Sequence, residues 1–111
     1  MRTLLFNVNR QNIIKNPYCD FTGLVPGTEG YLKAEFNFSS EWNGFAKVAT
    51  FWTTSGKELR PQALEKDDSC IIPKEALKRK RFLVQIIGKC GDMKLVTDKE
   101  IVEQDGARLW V

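Results

Sequence analysis

The chain has 111 residues, 42% of them hydrophobic and 28% charged, and carries a net charge of +3. That length suits one domain around a single core, and the composition lies far from disordered or collagen-like chains. Acidic residues interrupt almost every basic stretch, which argues against nucleic-acid binding. The apolar runs, such as Leu4 to Phe6 and Phe82 to Val84, reach three residues and are far too short to cross a bilayer as a helix.

From the amino terminus, MRTLLFNVNRQ offers no extended apolar segment or cleavage site for export, so synthesis and use without a secretion signal are expected. Leu4, Phe6 and Val8 share one face of a first strand. The polar break at Asn9 to Asn12, followed by Ile13 and Ile14, predicts a hairpin. Asn16 to Gly30 carries Pro17, Gly23, Pro26, Gly27 and Gly30 and reads as an irregular connection.

The most informative stretch is YLKAEFNFSSEWNGFAKVATFW, residues 31 to 52. Leu32, Ala34, Phe36 and Phe38 alternate with Tyr31, Lys33, Glu35 and Asn37, the period of a half-buried strand. In SSEWNGF, Ser39 or Ser40 would cap one helical turn, and Asn43-Gly44 would supply left-handed backbone for a tight reversal. Val48, Thr50 and Trp52 then alternate with Lys47, Ala49 and Phe51, and apolar residues on both sides indicate a central strand, with Trp52 assigned to the interior.

Pro61 marks the Lys57 to Ala63 segment as a sheet edge, and the acidic turn Glu65 to Asp68 precedes a short strand at Ser69 to Ile72. Pro73 opens a single helical turn through Leu77. Phe82, Val84 and Ile86 line up on the next strand, and Met93 to Thr97 and Glu100 to Glu103 complete a final meander. Short strands at regular spacing, with no ten-residue helical period, predict an all-β fold. They form one antiparallel β-sandwich domain of about seven to nine strands, with one or two single-turn helices, over residues 1–111.

With these pieces in order, the chain resembles the small immunoglobulin-like domains encoded by phages and prophages of Gram-positive bacteria. The resemblance rests on residues 31–51, on CIIPKEAL at 70–77, on FLVQIIG from Phe82, and on the MKLVTD hairpin that follows. Its motifs, an aromatic loop at Ser40 to Phe45, a C-x-I-P step at Cys70 and an F-x-V-x-x-x-G strand from Phe82 to Gly88, describe a fold and no chemistry. What the resemblance implies is a non-enzymatic virion structural protein, made in the host bacterial cytoplasm. It would attach to other virion proteins of a capsid, tail or baseplate lattice, as a homo-oligomer or in many symmetric copies. The absence of a proline linker or coiled coil before Val111 argues against a fibre shaft. Because a fold does not dictate a function, a small phage-encoded inhibitor of a host or defence protein is the alternative, and a glycan-binding module using Trp42, Tyr31 or Tyr18 is the third reading.

The candidate partner-binding residues are Trp42 and Phe45 in the aromatic loop, the basic run Lys78, Arg79, Lys80 and Arg81, and the carboxyl-terminal Leu109, Trp110 and Val111. Residues 106–111 read as a docking tail. Against these stand plainer readings: a Trp at a strand crossover plugs a core with its indole N–H on a backbone carbonyl, a basic run at a strand entrance stays solvated, and an apolar tail folds over its own sheet.

Catalysis has no visible parts. There is no histidine, no nucleophile elbow, no S-x-x-K pair and no P-loop. Cys19, Cys70 and Cys90 form an odd set without C-x-x-C spacing, which predicts three reduced thiols and neither zinc nor a disulfide framework. Cys90, beside Lys89, is the more reactive candidate. Glu65, Asp67 and Asp68 lack the spacing of a calcium loop. No cofactor, metal, membrane or small-molecule ligand is expected.

Overall fold

The alternation of Leu4, Phe6 and Val8 with Thr3, Leu5 and Asn7 becomes a strand, β1 (Arg2–Asn9), in a computed structural model that describes residues 1–105. β1 turns at Arg10, whose φ of 56° lies in the left-handed region, into β2 (Asn12–Lys15). β3 (Leu32–Phe38), β4 (Ala46–Thr53), β5 (Gln62–Ala63), β6 (Ser69–Ile71), one helical turn α1 (Lys74–Leu77), β7 (Arg81–Cys90), β8 (Met93–Val96) and β9 (Glu100–Glu103) follow. They form two sheets, β2-β1-β3-β6 and β5-β4-β7-β8, with β9 beside β8 on the same edge of β7. The all-β two-sheet sandwich is as expected from the strand periodicity.

One pairing departs from an all-antiparallel sandwich. β3 lies parallel to β1, in register from Arg2 opposite Leu32 to Val8 opposite Phe38. A parallel neighbour needs a long return connection, and residues 16–31 supply it. This stretch, irregular in sequence, is fastened at several points. Leu24 is buried and the Phe21 ring meets Phe6 edge-on at 5.4 Å. The Arg2 guanidinium donates to the carbonyls of Asp20 and Thr22, and the Gly27 N–H donates to the Leu77 carbonyl at 2.8 Å.

The core lies between the sheets. Leu4, Phe6, Val8, Ala34 and Phe36 from the first sheet face Ala49, Phe51, Phe82, Val84, Ile86 and Val102 from the second. Each fully buried side chain of this size contributes roughly 1.5–3 kcal/mol, which makes this layer the main source of stability. The free edge of β2 is closed without a strand: Asp98 accepts the Ile13 N–H at 2.9 Å and Glu100 accepts the Lys15 N–H at 3.2 Å. Carboxylates thus satisfy backbone donors that would otherwise template pairing with another chain. Two local readings shift slightly. Pro73 caps α1 from outside rather than occupying its first turn. At the Asn43-Gly44 reversal only Gly44, with φ of 84°, is left-handed.

Candidate functional site

The aromatic loop is an internal plug. Ser40–Trp42 forms a single 3₁₀ turn that tips the Trp42 ring between the sheets, where it is fully buried. Its Nε1–H donates to the Arg10 carbonyl at 2.8 Å, and its ring stands 5.3 Å from Phe38 and 6.0 Å from Phe45. Gly88 of β7 makes the room: a Cβ there would sit 2.8 Å from the Trp42 ring and 3.2 Å from Phe45. The final glycine of the F-x-V-x-x-x-G motif therefore has a steric cause. Trp42 cannot serve as a partner or sugar contact without unfolding the loop, so it leaves the set of candidate contacts, while Phe45 stays partly buried at its rim. Glu41 keeps the loop charged. Its own backbone N–H and the Ser39 hydroxyl hold its carboxyl below the usual range, and Arg10 adds to this across a 3.2 Å ion pair.

The basic run is exposed throughout, but its charges disperse. Lys78 caps α1, and Lys80 and Arg79 offer backbone carbonyls to the Gln104 N–H and side-chain amide. Arg81 is paired with Glu103 at 2.7 Å. Leu109, Trp110 and Val111 lie outside the described residues. The structure does not bring the run together with the aromatic loop. Among the described residues no group of three His, Cys, Asp or Glu side chains converges as a metal site. Asp67 is held low by the Ser69 hydroxyl and then by Lys33, and Asp68 lies 3.7 Å from Lys47, so the acidic turn is spent on fastening β6 and its neighbours. Burial pushes the Cys70 thiol up to about 12, which keeps it protonated and unreactive at neutral pH. All three cysteines are free.

The largest correction concerns Trp52. It does not enter the interior but stands half-buried on the outer face of the second sheet, its Nε1–H donating to Gln85 at 3.1 Å. Around it on that face lie Val48, Leu83, Ile87 and Val96, all partly exposed, with Ile101 40% exposed. A polar rung crosses the middle. Thr50 stands opposite Gln85, whose amide also donates to the Thr97 carbonyl at 2.9 Å, while the buried Thr50 hydroxyl has no partner among the described residues. The Lys99 ammonium lies 3.7 Å from the Trp52 ring centre. β4 and β9 flank β7 on opposite sides, and the Trp52 ring reaches over β7 to bond Gln85, so the two side chains meet above that strand.

A signal for this face is present in the sequence. β4 and β7 are apolar at both parities, and in a two-layer sandwich only one face of each sheet can meet the core. The second apolar face must therefore be uncovered or covered by something else. Searches of protein-family models, of curated proteins and of solved structures found nothing that matches this chain.

Proposed function

We propose that this chain is a non-enzymatic structural module of a bacteriophage particle, attached by protein–protein contact to a capsid, tail or baseplate lattice. The observation that carries the reading is the outer face of the second sheet, where the partly exposed Val48, Trp52, Leu83, Ile87 and Val96 and the 40% exposed Ile101 form one apolar surface, with Lys99 lying over the Trp52 ring. Contiguous apolar surface of this kind on a small domain marks a site of association. Reactive groups are drawn into structure instead: carboxylates close the β2 edge and the acidic turn, and Cys70 is buried. Such a body acts by adhesion, and its motif order resembles that of phage immunoglobulin-like modules.

Mass spectrometry of purified particles from a lysogen encoding the chain tests the reading. Its peptides are expected at a fixed ratio to the major structural proteins. Expression early in infection together with absence from particles would overturn the proposal in favour of an inhibitor of a host protein.

A further inference from the structure

Past β9 the chain leaves the second sheet and crosses to the far end of the first. Gln104 is fully buried, its N–H donating to the Lys80 carbonyl and its side-chain amide to the carbonyls of Leu77 at 2.9 Å and Arg79 at 2.7 Å. The Asp105 carboxylate then accepts the Gly23 N–H at 2.9 Å, in the connection between β2 and β3. Side-chain bonds at two successive residues thus fix the direction in which the chain continues.

That direction leads to a cleft. Gly23 forms part of its wall, and its volume is about 160 Å³. The buried Leu24 and Leu32 lie at its base, while Val25 and Tyr31, 50% and 51% exposed, stand at its rim. Met1, 71% exposed, adjoins the rim, because the Arg2 N–H donates to the Tyr31 carbonyl at 3.0 Å. Ligand pockets run to several hundred Å³, so this cleft is too small for a cofactor and suits one or two apolar side chains.

We propose that this cleft is covered by the chain's own residues 106–111, anchored by the apolar Leu109, Trp110 and Val111. Position and length carry the argument. Asp105 already touches the cleft wall, and Leu109, four residues further on, has a reach of roughly 13 Å, enough to lie across the rim. Gly106 and Ala107 are small, and a glycine at the first step permits a sharp return. A second copy would compete with a segment tethered three residues away, whose effective concentration is about millimolar.

A separate observation agrees. The Gln104 Oε1 is buried and has no donor among the described residues. A buried acceptor is almost always paired, and a segment returning from Asp105 carries backbone N–H groups past it. The proposal is independent of the particle assignment. It gives Leu109 to Val111 a place in the chain's own fold in place of a partner's surface.

Nuclear magnetic resonance of the full chain tests this, with circular dichroism as a check on folding. Cross-relaxation is expected between the Leu109 or Trp110 side chain and Val25 or Tyr31, unchanged on dilution. Trp110→Ser should shift the amide signals of residues 23–32 and leave those of β4 and β7 in place. In a second measurement, trypsin releases Leu109–Val111 by cutting after Arg108. Val25→Asp, at a rim position, should speed that release about tenfold by freeing the segment. Absence of the cross-relaxation, or equal release rates in the two chains, would overturn the proposal. So would contacts that vanish on dilution, since they would seat the segment on a second copy.

Discussion

Trp42 and Trp52 occupy regions that exchange the roles their sequence contexts suggest. Trp42, in a polar loop with Glu41 and Asn43, is sealed in the core with its ring against Gly88 and its N–H on the Arg10 carbonyl. Trp52, in a continuous apolar strand, is half-open on an outer face beneath Lys99. The difference teaches that local hydrophobicity ranks residues by company, whereas burial depends on which side of a sheet the strand parity selects. A one-residue change of parity moves a side chain from core to surface. A 3₁₀ turn frees a loop residue from parity altogether.

The outer face of the first sheet completes the contrast. There, Thr3, Asn7, Lys33, Glu35 and Asn37 point outward, Asn7 accepts from the amides of Asn16 and Asn37, and Leu5, Ile14 and Ile71 share the same side, the last two 43% and 41% exposed. That face is polar along β3, with its apolar residues on β1 and on the flanking strands β2 and β6. On the second sheet the central strands β4 and β7 themselves turn apolar residues outward, with Trp52 and Leu83 side by side and Val48 beside Ile87.

The sharpest way to break the comparison is to truncate both tryptophans. Trp42→Ala is expected to cost about 3–5 kcal/mol, since it empties the core and strands the Arg10 carbonyl. Trp52→Ala should cost about 1–2 kcal/mol, chiefly the ring's partial burial and its cation contact. Urea unfolding of each variant measures both, and equal losses would erase the distinction between the sites.

Next in size is Gly88→Ala. The added methyl must push the Trp42 ring, so a loss of about 1–3 kcal/mol is expected. A shift in Trp42 fluorescence should accompany it. An unchanged unfolding midpoint would mean that the loop is looser than its packing implies.

The smallest effect is expected at Thr50 on the open face, and its sign is opposite. Thr50→Val replaces a buried hydroxyl that lacks a partner with a methyl group, which should stabilise the monomer by about 1 kcal/mol. A loss of stability would show that the hydroxyl is satisfied in solution.

Much of the framework is legible in the sequence. The alternation in β1, β3 and β7 names Leu4, Phe6, Val8, Leu32, Ala34, Phe36, Phe38, Phe82, Val84 and Ile86 as one-sided, and all are buried except Phe38, which packs partly buried against the core. Pro61 beside β5 marked an edge, and β5 is the edge strand of its sheet. Of the candidate contacts, the basic run is exposed as its composition suggests, and Trp42 follows the plainer reading of a core plug. The parallel placement of β3 beside β1 was not legible, because it depends on how a turn-rich connection is fastened by Leu24, Phe21 and Arg2.

By itself, the sequence determined that this protein is a layered β-structure with a large aromatic and aliphatic interior, because a period of two is a local property written into consecutive residues. Only the tertiary structure decided which apolar residues were left over once the two layers closed. Val48, Trp52, Leu83 and Ile87 are as hydrophobic as their buried neighbours, but a sandwich of two sheets has one interior, and their side of β4 and β7 faces away from it.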